Sequence, residues 1–313
     1  MSFAFLFPGQ GSQAVGMLGE LAAQHPEVRQ TFDEAGEALG EDLWQLVSAG
    51  PEEELNRTEQ TQPALLTAAI ACWRTWLSKG GAMPAAVAGH SLGEYSALVA
   101  ADVLDFADAV RLVRKRAQLM QTAVPEGQGA MAALIGLNDP VVKHLCAQLA
   151  QEAGKTLQAV NFNAPGQVVI AGAAELVDQA MEQAKQEGAR MAKRLPISVP
   201  CHSDLLKEAA EELAHSLEAT PMRHPRIPVI HNIDAQPRQE IDDIRRAMAK
   251  QLYSPVLWTD CIAQLQTMDI DLLVECGPGR VLSGLNRRID RSLRSASLHD
   301  PDGLDSALAQ VQE

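Results

Sequence analysis

Hydrophobic positions along the chain follow two rhythms. Short, solid apolar runs such as Phe3–Phe7 and Ala85–Ala88 read as strands buried on both faces. Longer stretches with apolar residues every three or four positions read as helices. The first run stops at Pro8-Gly9-Gln10-Gly11-Ser12-Gln13, a breaker-rich loop that leads into helical patterning. Helices are predicted over 26–39, with Pro26 at the start and Gly40 past the end, and over 63–79, with Gly80-Gly81 as the stop. The run at 85–88 feeds Gly89-His90-Ser91-Leu92-Gly93-Glu94, after which 95–101 reads as a helix. Asp105 is placed to cap another that reaches Val124.

From Gly129 the pattern changes. Strand 130–135, helix 140–153, strands 157–161 and 167–171, helix 174–187 and strand 190–195 follow in the order β-α-β-β-α-β, that of a ferredoxin-like split unit. Beyond it, a helix over 203–217, a strand over 229–232, helices over 241–252 and 256–268 and a strand over 271–275 return to the style of the first third. The expected fold class is therefore α/β. One large domain is built from 1–124 and 198–313 and is interrupted by a small domain at 125–197.

Composition narrows the function. With 313 residues, 46% hydrophobic and 21% charged, the chain can bury a sizeable core and is not disordered. Forty acidic against 26 basic residues give a net charge of −14, so the chain as a whole repels nucleic acid and anionic membranes. Any anionic partner needs a local basic patch. No apolar run approaches the roughly 18 residues of a membrane span, and the apolar start is too short and lacks a basic leader, so a cytoplasmic protein is expected. Cys72, Cys146, Cys201, Cys261 and Cys276 are odd in number and scattered, which argues for free, buried thiols and against a disulfide framework or a zinc site.

Gly89-His90-Ser91-Leu92-Gly93 is Gly-x-Ser-x-Gly between a predicted strand and a predicted helix, the setting of a nucleophile elbow. A plain strand-to-helix turn with a capping serine is the bland alternative. A serine hydroxyl needs a base within hydrogen-bond reach, usually histidine. His90 should point away from its neighbour, and His25, His144, His215 and His224 read as surface residues. His202 and His231 remain. Both stand where the chain can reach the mouth of a sheet, and spacing favours His202 without excluding His231. For the oxyanion, the N–H of Leu92 supplies one donor and the glycine-rich loop at 8–11 can supply another.

Four segments then resemble a known family. Phe-Pro-Gly-Gln-Gly-Ser-Gln at 7–13, Gly-His-Ser-Leu-Gly-Glu at 89–94, Val-Pro-Cys-His-Ser at 199–203 and Gln-Leu-Tyr-x-Pro-Val-x-Trp at 251–258 are similar, in order and spacing, to the malonyl-CoA:acyl carrier protein transacylases of bacterial fatty acid synthesis. The resemblance spans Phe3 to about Leu298. It implies an α/β-hydrolase-like domain with an inserted ferredoxin-like one. Ser91 becomes the acylated nucleophile and His202 its base, oriented by the backbone carbonyl of Gln251 in place of a carboxylate. The N–H groups of Gln10 and Leu92 become the oxyanion donors, and Arg116 the ligand of the malonyl carboxylate. A guanidinium offers that carboxylate two parallel bonds, which lysine cannot. Asn163, in a loop built on Asn, Pro and Gly, is implied as a substrate contact at the border of the cleft.

The resemblance further implies malonyl-CoA and phosphopantetheinylated acyl carrier protein as partners, no resident cofactor or metal, and a monomer. Both proteins being acidic, docking calls for basic residues. Arg280, Arg287, Arg288, Arg291 and Arg294 are candidates, with Arg287, Arg291 and Arg294 at helical spacing, together with Lys115 and 190–194. Cys201, next to His202, suggests sensitivity to thiol reagents. Three rivals share these motifs: a serine hydrolase or thioesterase, a silent carrier-docking subunit, and a malonyl transferase of a malonate decarboxylase or polyketide system. How fast water discharges the acyl-enzyme separates the first from a transferase.

Overall fold

The structure is a computed structural model that describes residues 2–125, 127–197 and 199–312. Residue 198, the expected start of the second half of the large domain, lies outside the described residues. Two sheets organise the chain. Five parallel strands lie in the order β7-β2-β1-β8-β9, with β1 Phe3–Phe7, β2 Ala86–Gly89, β7 Val229–Ile230, β8 Leu272–Glu275 and β9 Arg294–Ser297. Four antiparallel strands lie in the order β4-β5-β3-β6, with β3 Gly129–Ile135, β4 Leu157–Ala164, β5 Gln167–Ala173 and β6 Met191–Arg194. Helices Asp139–Ala153 and Ala174–Gln186 supply the crossovers of the second sheet, and their apolar faces close a core on Ala132, Leu134, Val168 and Ile170.

β1 shows why a solid apolar run makes a central strand. Phe3, Phe5 and Phe7 face one layer of helices and Ala4 and Leu6 the other, so no residue of the strand meets water. Phe5 packs edge-on against Trp73 and Trp76 of helix Thr58–Ser78, with ring centroids 5.4 and 5.2 Å away. On the opposite face Leu6 meets the core made with helix Trp258–Thr267. The register pairs Phe7 with Gly89, so the glycine-rich loop after β1 and the turn after β2 leave the sheet side by side. Carboxyl ends of adjacent parallel strands are where α/β sheets place ligands.

Several elements differ from expectation. The helix expected from Pro63 starts at Thr58. Burial of Thr58, Thr61 and Gln62 carries it past a proline that forfeits one backbone bond near its start. Asp105 does precede helix Phe106–Ala123, but its carboxylate leaves the cap and pairs with Arg223. The helix expected from Ser203 opens as a 3₁₀ turn, Asp204–Leu206, before Lys207–Ala219.

β4 extends past Asn161 through the segment expected to be a loop, so Asn163 is a strand residue. Register shifts at Ala159/Asn161 and Phe162/Ala164 let the strand accommodate both asparagines. The helical face through Arg287, Arg291 and Arg294 does not exist. Helix Val281–Ile289 ends where the Asp290 carboxylate accepts from the N–H and hydroxyl of Ser292, an Asx turn, and Arg294 begins β9. His25 is buried rather than on the surface.

Sequence reasoning did not single out helices Gly19–Gln24, Leu43–Ala49, Glu52–Leu55 and Pro301–Gln312, or β9. The two sheets are joined where Phe162 N–H donates to Val256 O (2.9 Å) and Val256 N–H to Val160 O (2.8 Å), which fixes β4 against the loop before helix Trp258–Thr267. No helix among the described residues is long and apolar enough to cross a membrane.

Candidate active site

Ser91 stands between β2 and helix Gly93–Ala100 with φ 52°, in the left-handed region that costs a non-glycine residue about 1–3 kcal/mol. Its neighbours make the turn this tight. A Cβ on Gly89 would lie 2.0 Å from the carbonyl of Gly93, and one on Gly93 would lie 2.0 Å from the carbonyl of Phe7. Only glycine fits at either place. The turn therefore packs directly onto the end of β1 and pushes the serine hydroxyl into the cleft.

Ser91 Oγ is 2.7 Å from His202 Nε2, and His202 Nδ1 is 2.8 Å from the backbone carbonyl of Gln251. A carbonyl can only accept, so Nδ1 carries the proton and Nε2 turns its lone pair to the hydroxyl. His202 is itself at positive φ, 63°, and is buried. Burial and then the Arg116 charge pull its pKa down to about 3, against the opposing bond to Gln251. It is a neutral base at neutral pH. Of the two histidines that spacing left open, His202 meets the serine. His231 lies behind it, fully buried, with Nδ1 2.6 Å from Glu94 Oε1.

Arg116, on helix Phe106–Ala123, is 1% exposed. Its Nη1 donates to Gln62 Oε1 (2.9 Å) and its Nη2 to Gln251 Oε1 (3.2 Å) and Ser91 Oγ (3.3 Å), while Nε has no partner. The guanidinium also lies 5.6 Å from the ring centroid of Tyr95. Its hydrogen-bond partners among the described residues are all neutral. A desolvated cation with no carboxylate in contact among the described residues, beside a candidate nucleophile, is a ready receptor for one.

Gln10, from the loop after β1, and Leu92, at the start of the helix after Ser91, border the same cleft. Helix-start amides have no partner within the helix, so the Leu92 N–H is available to an oxyanion. The loop bearing Gln10 comes close because Gly9 has no side chain. A Cβ there would lie 2.5 Å from the His90 carbonyl. The opposite wall is formed by the second sheet through Met131, Asn161, Asn163 and Val169. Asn163 Oδ1 is 2.8 Å from His90 Nε2, so the ring of His90 turns from the serine to the outer wall and still borders the cleft. Burial lowers the His90 pKa.

The enclosed space is about 130 Å³. Drug-sized sites run to roughly 300–1,000 Å³, so this one suits an acyl group of a few atoms. A larger groove of about 450 Å³ between helices Lys207–Ala219 and Ile241–Gln251 is lined by neither Ser91 nor His202. Cys201 borders the site, but burial raises its thiol to about 11, which favours the protonated, less reactive form.

The sequence reading missed Asn232, Glu94 and the side chain of Gln251. Asn232 Oδ1 accepts from the Ser91 N–H at 2.7 Å and its Nδ2 donates to Gly89 O at 2.7 Å. Its position at the end of a short apolar run, beside a candidate histidine, was the one signal available.

Comparison with known proteins follows the same lines. Residues 4–297 match the acyl transferase domain family. The chain is 52% identical over 308 residues to the malonyl CoA-acyl carrier protein transacylase of Salmonella typhimurium, covering 98% of this chain and 99% of the relative. To that of Bacillus subtilis it is 44% identical, covering 99% and 97%. Among solved structures, the malonyl CoA-acyl carrier protein transacylase of Coxiella burnetii superposes with a TM-score of 0.98 at 47% identity, covering 100% of this chain and 98% of that one. A malonyl-transacylase solved in complex with the holo acyl-carrier protein of a type II PKS gives a TM-score of 0.97 at 51% identity, covering 99% and 100%.

Proposed function

This chain belongs to the acyl transferase family, and we propose that it moves a malonyl group from malonyl-CoA to the phosphopantetheine thiol of an acyl carrier protein through a malonyl ester on Ser91. One observation carries the reading: the Ser91–His202–Gln251 carbonyl relay lies against a buried guanidinium, with Arg116 Nη2 3.3 Å from Ser91 Oγ. In a malonyl thioester the free carboxylate is one methylene from the reacting carbonyl. A cation that receives it must therefore sit almost on the nucleophile, as Arg116 does.

His202 Nε2 takes the hydroxyl proton as Oγ attacks the thioester carbon. Charge developing on the carbonyl oxygen is received by the amides of Gln10 and Leu92. The tetrahedral adduct collapses, the C–S bond breaks, and the CoA sulfur leaves with the proton that His202 holds. The carrier thiol then gives its proton to His202 and attacks the ester carbon, the C–Oγ bond breaks, and Ser91 Oγ takes the proton back from His202, so the kinetics are ping-pong.

Arg116 exchanges neutral partners for the carboxylate in both halves, and Asn163 contributes to the outer wall of the acyl pocket. Pairing with the carboxylate also cancels the Arg116 field on His202, so a bound malonyl group raises the basicity of its own catalyst. We read the enzyme as a cytoplasmic monomer acting in fatty acid elongation without a resident cofactor, malonyl-CoA being substrate. Arg287 and Arg288, exposed in the last turn of helix Val281–Ile289, and Arg190 across a hollow from Arg288 are the residues we assign to the acidic carrier.

Intact-mass analysis of the wild type and of Ser91→Ala tests the route. A malonyl adduct that requires Ser91, persists in water and moves to added phosphopantetheinylated carrier is expected. An adduct lost to water equally fast without carrier makes the protein a hydrolase, and no adduct on the wild type removes Ser91 as nucleophile.

A further inference from the structure

Behind the elbow lies a ring of polar residues of which the transfer steps use only the Gln251 backbone carbonyl. Glu94, His231, Asn232 and Gln251 all have 0% exposure. Glu94 Oε1 faces His231 Nδ1 at 2.6 Å. Its Oε2 accepts from the backbone N–H of Asn232 at 3.1 Å and from Gln251 Nε2 at 2.9 Å. Both of those residues also hold Ser91. Asn232 takes the Ser91 N–H, and Gln251 Nε2 donates to the Ser91 carbonyl at 2.9 Å. The peptide groups on either side of the nucleophile are thus gripped by the side chains of two residues that donate to one carboxylate oxygen, Asn232 through its backbone N–H and Gln251 through Nε2.

A carboxylate without solvent is costly, and an apolar residue would fill the same place on helix Gly93–Ala100 at no such cost. Two donors, the Asn232 N–H and Gln251 Nε2, converge on Oε2, which accepts from both, while Oε1 meets the His231 ring. Ser91 holds a left-handed φ, and such strain persists only where the surroundings over-determine it. One further link joins the ring to selectivity, because Gln251 Oε1 accepts from Arg116 Nη2. We propose that Glu94 is a positioning residue that fixes Ser91 in its strained reactive geometry through Asn232 and Gln251 and, through the Gln251 side chain, aims Arg116 at the acyl carboxylate. This rests on Ser91 being the nucleophile.

The test measures how fast Ser91 is acylated by malonyl-CoA and by acetyl-CoA in the wild type, Glu94→Gln and Glu94→Ala, by rapid quench and intact mass. Circular dichroism and thermal melts record folding. Glu94→Gln is isosteric but uncharged: its oxygen can still accept from Asn232 and Gln251, while its amide group faces His231 Nδ1, which must change tautomer to accept, so the bond between His231 and a carboxylate is lost. Acylation by malonyl-CoA is expected to fall about tenfold in Glu94→Gln and about a hundredfold in Glu94→Ala, the scale of losing one and then several hydrogen bonds to a charged group. The malonyl-over-acetyl preference should fall with it, which a purely structural role would not cause. Folded variants that acylate within about twofold of wild type, or that keep the full preference, overturn the proposal. Failure of both variants to fold also overturns it, since Glu94 then serves the scaffold. A wild type without a Ser91 adduct would instead refute the function on which the proposal rests.

Discussion

The two walls of the cleft are built on different principles. The inner wall gathers Ser91 and Gln10 from the ends of parallel strands, Arg116 and Gln251 from helices packed on that sheet and His202 from the segment after β6, and its polar groups are locked to one another. Ser91, His202, Arg116 and Gln251 are joined by bonds of 2.7 to 3.3 Å. The outer wall is a face of the antiparallel sheet, contributing Met131, Asn161, Asn163 and Val169, and it reaches the inner one through the Asn163–His90 contact. Parallel strands end together and leave loops and helix starts converging on one spot, so they can aim several groups at one reacting atom. An antiparallel face presents every second side chain at a fixed spacing, which suits shape more than chemistry. The lesson is that reactivity belongs to the first wall and enclosure to the second.

That division can be broken most severely at Arg116. Arg116→Ala should lower kcat/KM for malonyl-CoA by about 10²–10³, the loss of two charge-assisted bonds in a desolvated site, and lower that for acetyl-CoA far less. Steady-state kinetics with both thioesters checks this, and equal losses would mean that Arg116 supports the fold and not the carboxylate.

A second test sharpens the electrostatic side. The His202 pKa is depressed, so the base stays unprotonated as pH falls through the ordinary histidine range and is lost only near the lowered value of about 3. Ser91 acylation by acetyl-CoA should therefore hold down to at least about pH 5, while malonyl-CoA, by neutralising Arg116, should move the acid limb upward. An inflection near 6.5 for acetyl-CoA would contradict this.

Charge reversal at Arg287 and Arg288 should raise the KM for carrier protein about tenfold at low salt, an effect that added salt erases, and an unchanged KM would place docking elsewhere. The smallest effect is expected on the outer wall. Asn163→Ala loses one bond worth about 1 kcal/mol and should reduce malonyl transfer only a few-fold. A loss as large as that of Arg116→Ala would erase the distinction between the walls.

Much of the inner wall is legible in the chain because its demands are local. Gly89 and Gly93 flank a serine at positive φ, and the clash that forbids a side chain on Gly89 arises within the strand, turn and helix that the pattern already predicts, whereas Gly93 is held to glycine by the end of β1. β1 is legible because five apolar residues in a row fit only a strand covered on both sides. Local reading fails where a side chain bonds across a turn or a bulge inserts a residue. Asp290 stops a helix whose arginine spacing runs on, and β4 continues through Asn163, which looks like part of a turn.

The sequence by itself determined the elbow, the free thiols, the β-α-β-β-α-β order of the small unit and, through its resemblance to a family, the pairing of Ser91 with His202 and Arg116. Only the tertiary structure decided that His202 and not His231 meets the serine by contact, that Gln251 works through its side chain as well as its carbonyl, and that Glu94 and Asn232 stand behind the nucleophile. The reason is physical. The strain at Ser91 and the exclusion at Gly89 act over a few residues and leave a local signature, whereas the bonds to Ser91 from His202, Asn232 and Gln251 close over 111, 141 and 160 residues. Their geometry exists only once the two sheets and their helices have packed.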